Sequence, residues 1–203
     1  MISSQVAYLA DLGSKFILVL LFFASFLVIA FYVERKLFFK KYFHCDISNI
    51  LEKLKKSENR TDIESVLNND NKEESRLIMK SLKNPRLNNG EKFVTSISVD
   101  IDVEKKSWEK HLLYFATVGA NAPFLGLLGT VLGLMQAFSD LALAARPDAS
   151  AAMAGISNAL ITTVAGIVIA IPSVVIYNSL AKKVNRISTN IKALAKTISG
   201  NIF

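Results

Sequence analysis

Phe16–Val33 reads FILVLLFFASFLVIAFYV, with no charged residue in its eighteen positions. Such a stretch makes about 27 Å of α-helix, enough to cross the hydrocarbon core of a bilayer. Outward from it, residues 112–139 and 149–181 are also free of Asp, Glu, Lys and Arg, whereas 34–111 holds 31 of the 41 charged residues. A soluble domain interleaves charged and apolar residues at short range, because each of its helices needs a wet face. The segregation instead predicts three membrane spans in a chain of 203 residues, 51% of them hydrophobic. It argues against a soluble enzyme, a nucleic-acid module or a disulfide-rich secreted domain. Phe16–Val33 reads as a span rather than a signal peptide: the run is long, no small-x-small cleavage site follows, and Glu34-Arg35-Lys36 closes it as a stop-transfer flank does.

Orientation follows from Lys and Arg near the span ends. Residues 1–15 carry only Lys15, and the connector 140–150 carries only Arg146, beside Asp140 and Asp148. The segment 34–111 has 17 Lys or Arg against 14 acids, and the tail 182–203 has five and no acid. These counts predict an N-terminal segment (1–15) and a short connector (140–150) on the periplasmic side, and a long loop (34–111) and C-terminal helix (182–203) in the cytoplasm. The net charge of +7 is then a topology signal with attraction to anionic lipid. No nucleic acid is expected as a partner, since no aromatic-and-basic repeat is present.

The loop and tail carry helical spacing. Ile47, Ile50, Leu51 and Leu54 share a face, as do Ile63, Val66 and Leu67. Asn84-Pro85 and Asn88-Asn89-Gly90 mark a break. Ile97, Val99, Ile101 and Val103 alternate as in a strand, yet Phe93, Ile97, Ile101, Trp108 and Leu112 share one helical face. The helix is the expectation, running directly into the second span. In the tail, Val184, Ile187, Ile191, Leu194 and Ile198 step by threes and fours, a coiled-coil-like seam. That seam serves either a partner helix or the helices of its own subunit. His44 and Cys45 adjoin each other without a third group at catalytic or metal-ligand spacing. A reduced cytosolic thiol is expected there, and no enzyme, metal or cofactor.

The three spans differ in kind. The first is bulky and lipid-like. The second carries Gly119, Gly126, Gly129 and Gly133 with Asn121, Pro123, Thr130 and Gln136. The third carries Gly155, Ser157, Asn158, Thr162, Thr163, Gly166, Pro172, Ser173 and Asn178. Small residues let helix backbones approach closely in lipid, where dispersion and hydrogen bonds replace the hydrophobic effect. Gly126, Gly129 and Gly133 lie on one face, and three helices offer too few neighbours to bury two such faces, so an oligomer is inferred. Thr130, Asn158, Thr162 and Thr163 are polar at bilayer depth, where an unpaired group is costly. They either line a cavity or bond carbonyls of their own helix. Moving a proton across a membrane normally requires a titratable relay, and these spans contain no Asp, Glu, Lys, Arg or His. A carboxylate for proton-driven work must therefore come from a second protein.

Two segments carry a resemblance. GANAPFLGLLGTV at 119–131 resembles the second-span signature of the ExbB/TolQ/MotA proton-channel family. SNALITTVAG at 157–166, followed by AIPSVVIYN at 170–178, resembles its third-span signature, and Glu34-Arg35 after the first span also matches. The layout of three spans and a long cytoplasmic loop is similar to ExbB and TolQ and unlike the four-span flagellar stator subunit. The resemblance implies an all-α inner-membrane protein with three transmembrane helices (16–33, 112–139 and 151–181) and cytoplasmic helical extensions, assembled as a homo-pentamer around a central pore. That pore would enclose the helices of an ExbD/TolR-like single-span dimer whose Asp takes and releases the proton, with a TonB- or TolA-like transducer beyond it. Thr130 and Thr163 match the pore-facing threonines near that Asp, with Thr162 and Asn158 beside them; Gly126, Gly129, Gly133, Gly166, Pro123 and Pro172 would pack the helices. Asn158 stands where ExbB and TolQ typically carry a Glu. A neutral hydrogen-bonding site or sodium coupling through Asn and Thr oxygens is then open. The rival functions are a self-contained channel or small transporter, and a membrane scaffold. TonB-type energising, Tol-type envelope maintenance and gliding share this machinery, so the task stays open.

Overall fold

The computed structural model describes residues 2–43, 47–57, 59–84, 89–143 and 149–202. His44, Cys45, Pro85 and Asn88, Arg146 and Asp148 lie outside them, so the expectations placed on these residues have no structural counterpart. Among the described residues the chain forms seven α-helices and no strand. They are α1 (Ile2–Tyr42), α2 (Ser48–Lys56), α3 (Arg60–Asn68), α4 (Glu73–Leu82), α5 (Gly90–Trp108), α6 (Leu112–Leu143) and α7 (Ala149–Ile202). Three of them, α1, α6 and α7, are long and apolar enough to cross a membrane. The apolar stretch 16–33 is the centre of a longer helix that already includes the residues ahead of it. At 54 residues, α7 is about 80 Å long, far more than a hydrocarbon core requires.

The chain divides into two compact units, residues 1–32 with 111–178, and residues 33–110 with 179–203. In the first, α1 packs on the α6–α7 pair. Ile17 and Leu21 of α1 are buried with Ala122 of α6 and Ala170 of α7, flanked by Val118, Leu125, Leu132 and Ile169. Tyr114 donates its hydroxyl to the Ala24 carbonyl at 3.0 Å. The opposite face of α1 is left to lipid, with Phe16, Phe22 and Phe26 all exposed. Bulky side chains such as these keep other backbones away but suit acyl chains.

In the second unit α2, α3, α4 and α5 pack consecutively. The helix expected over 93–108 is present, and its stripe Phe93, Ile97, Ile101 and Trp108 is fully buried. Asn89 caps it by accepting from the Glu91 amide at 2.8 Å. Lys80 and Ser81 of α4 both reach the Asp100 carboxylate of α5 at 3.1 Å. Arg35 is buried, donating to the Ser107 carbonyl and to Glu34 at 3.1 Å each and stacked 4.5 Å from the Phe38 ring. The tail seam Val184, Ile187, Ile191, Leu194 and Ile198 is buried inside this unit. Asn201 ties the tail to α2 through the carbonyls of Leu54 and Ser57 at 2.8 and 2.9 Å. Of the two uses open to the seam, the chain's own helices take it.

One expectation is corrected. The helix over 93–108 does not run directly into the second span: it ends at Trp108, Glu109 and Lys110 form a turn, and His111 has φ of 66°. A left-handed conformation at a residue with a Cβ costs about 1–2 kcal/mol. Stacking of the His111 ring on Phe31, with centroids 4.0 Å apart, offsets that cost where the apolar helix begins.

Candidate functional site

The polar residues of α6 and α7 meet because glycines let the two backbones approach. A Cβ added at Gly126 would lie 2.7 Å from the Thr162 carbonyl oxygen, and one at Gly166 would lie 2.5 Å from that of Ala122. Those are clashes with backbone, which cannot swing away as a side chain can. Gly126 and Gly166 thus set the helix separation, and the threonines one turn further along are brought within reach of each other. Pro123 and Pro172 sit inside α6 and α7.

Thr130 of α6 and Thr162 and Thr163 of α7 form one hydroxyl cluster. Thr130 Oγ1 lies 3.1 Å from Thr162 Oγ1 and is also hydrogen-bonded to Thr163 Oγ1. Two carbonyls accept from the cluster. The Gly126 oxygen is 3.1 Å from Thr130, 3.0 Å from Thr162 and 3.3 Å from Thr163. The Ala159 oxygen is 2.8 Å from Thr162 and 3.2 Å from Thr130. Both readings of the threonines hold in part: Thr130 bonds its own i−4 carbonyl and Thr162 its own i−3 carbonyl, while all three also bond across the helix pair. Thr162 is 1% exposed and Thr130 6%, whereas Thr163 is only half-buried and forms the outer member. Chemically the cluster can donate or accept a hydrogen bond without acquiring charge.

Asn158 stands apart. It is exposed and lines a polar cavity of about 280 Å³ with Gln136, Asp11, Lys15 and Asp140. Asp11 and Lys15 are paired there at 2.8 Å. In the sequence Lys15 enters only the orientation count, and neither it nor Asp11 stands out as part of a site. Their i, i+4 spacing directly before an apolar run was the available signal that α1 begins earlier and carries this pair into the cavity. Gly133 and Ala159 also border it, so the cavity adjoins the hydroxyl cluster through the Ala159 residue.

Three long apolar helices, two of them joined by a closely packed glycine contact around buried hydroxyls, define a polytopic membrane protein with a neutral polar site at membrane depth. The MotA/TolQ/ExbB proton channel family matches residues 69–193, more than half of the chain, and the protein belongs to that family. It is 39% identical over 95 residues to the biopolymer transport protein ExbB of Helicobacter pylori, covering 47% of this chain and 66% of that one. The ExbB of Salmonella typhimurium is 45% identical over 71 residues, 35% of this chain and 29% of its own length. The Tol-Pal system protein TolQ of Pseudomonas aeruginosa is 38% identical over 88 residues, 43% of this chain and 38% of its own. The chain thus spans under two thirds of the length of each of these relatives.

Proposed function

We propose that this chain is the pore-forming subunit of an inner-membrane motor driven by ion flow. Five copies surround the membrane helices of an ExbD/TolR-like partner, whose Asp carries the proton past the threonine cluster. The resulting motion is passed to a TonB- or TolA-like transducer and does work on the envelope. The protein acts without enzymatic chemistry, with its N-terminus periplasmic and its C-terminus cytoplasmic.

The observation that carries this reading is the Thr130–Thr162–Thr163 cluster, set in helices without Asp, Glu, Lys, Arg or His over 112–139 and 149–181. Hydroxyls can serve both protonation states of a carboxyl group, but they cannot move a proton across a bilayer alone. Membership of a proton-channel family and likeness to ExbB and TolQ support the ion-driven part of this reading.

The test is proton flux into liposomes holding the purified chain, with and without a co-purified ExbD/TolR-like protein. Flux that appears only with the partner, and is lost when the partner's intramembrane Asp becomes Asn, is the expected result. Equal flux from the chain alone would establish the self-contained channel instead, and flux that follows sodium rather than protons would establish sodium coupling.

A further inference from the structure

We propose that Thr162 is a positioning residue, the inner end of a reversible three-hydroxyl chain running Thr163–Thr130–Thr162. This rests on the reading that a partner's carboxyl group meets the cluster at Thr163. The resemblance gives pore-facing roles to Thr130 and Thr163, whereas Thr162, 1% exposed, is buried between α6 and α7. Opposite it, a Cβ at Gly129 would come within 2.9 Å of its Oγ1, so the glycine leaves room for this hydroxyl.

The proton count gives Thr162 its role. Each hydroxyl has one proton and can accept as well. With the acid protonated, Thr162 donates to the Ala159 carbonyl at 2.8 Å, Thr130 donates to Thr162 at 3.1 Å, and Thr163 donates to Thr130. Thr163 then turns its lone pairs outward to accept from the acid. With the acid ionised, all three rotate: Thr163 donates outward, Thr130 donates to Thr163, and Thr162 donates to Thr130. No O–H bond breaks, and aligned hydroxyls polarise one another in either order. Thr162 matters most in the second order, because it alone supplies the donor to Thr130. In the first order, Thr130 has the Gly126 carbonyl at 3.1 Å as a substitute acceptor. Removing the Thr162 hydroxyl therefore weakens the order that stabilises the carboxylate, and the acid holds its proton to a higher pH.

The charged groups nearby on the packed helices are Asp11 and Lys15 of α1 and Asp140 of α6, in the cavity that Ala159 borders. Neither α6 between 112 and 139 nor α7 between 149 and 181 adds another. None of these is altered in the variants below, so a shift reports on the hydroxyl chain.

The experiment measures the pH midpoint of partner-dependent proton flux in liposomes for wild type, Thr162→Val, Thr162→Ala and Thr162→Ser, each co-purified with the ExbD/TolR-like protein. Loss of one hydrogen bond corresponds to an upward shift of about half to one pH unit. Val and Ala are expected to show that shift despite their different volumes, and Ser to restore the wild-type midpoint. An unshifted midpoint in both Val and Ala, or an equal shift in Ser, overturns the proposal while leaving the motor reading intact. A wild-type complex without partner-dependent flux overturns both.

Discussion

Thr163 carries the heaviest burden in this account, because it is the half-buried outer member of an otherwise buried cluster. Replacing it with Val keeps the shape and removes the hydroxyl. Partner-dependent proton flux in liposomes should fall roughly tenfold, the equivalent of about 1.4 kcal/mol, with assembly size unchanged on gel filtration. Unaltered flux would favour a scaffold role. Asn158 makes a contrasting case. It lies in the cavity of Asp11, Lys15 and Asp140 and outside the cluster, so Asn158→Glu should leave flux within about twofold. The same change adds a third carboxyl near two others against a single Lys. Like-charge repulsion there should lower the melting temperature, and added salt should recover part of the loss. The threonines were legible in the sequence as polar residues at depth. That they divide into a buried pair and an outer member was not, because which side of a helix faces its neighbour depends on where Gly126 and Gly166 bring the backbones together.

At the scale of elements, the α6–α7 contact and the tail helix yield separate predictions. Gly126→Ala forces a methyl group against the Thr162 carbonyl and should cost about 1–3 kcal/mol. Thermal unfolding of the detergent-solubilised protein reads this, and an unchanged melting temperature would show that the two backbones do not approach closely at Gly126. In the tail, Leu194 is fully buried inside one chain. Leu194→Ala should destabilise the second unit by about 2–5 kcal/mol without altering the number of subunits. A change in subunit number would instead make the seam an intersubunit coiled coil. The periodicity that drew the seam from sequence could not choose between these uses, since a stripe of apolar residues specifies burial but not the burying partner. The helix over 93–108 was legible because its stripe Phe93, Ile97, Ile101 and Trp108 keeps a helical step. Its end was not, because the same stripe continues through Leu112 while the backbone turns at Glu109–His111. A left-handed residue held by an aromatic stack leaves no trace in a hydrophobic pattern.

For the whole molecule, segregation of charge made the three long apolar helices legible, whereas the face of Gly126, Gly129 and Gly133, read as calling for an oligomer, packs on α7 of the same chain. The proposed orientation, drawn from the Lys and Arg counts, can be checked by labelling. In a background with Cys45→Ser, a cysteine at the exposed position 192 should react with a membrane-impermeant maleimide only after the inner membrane is opened, and one at position 140 before it. The reverse pattern would invert the account. The proposed partner rests on a deficit, since helices that hold hydroxyls and amides but no acid would need one from elsewhere. The most direct measurement of that claim is site-specific photocross-linking from position 167, an exposed residue one turn from Thr163 on α7, in membranes that also contain the ExbD/TolR-like protein. The account predicts adducts joining this chain to the partner's membrane helix beside its Asp. Adducts with lipid or other copies of this chain alone would contradict it.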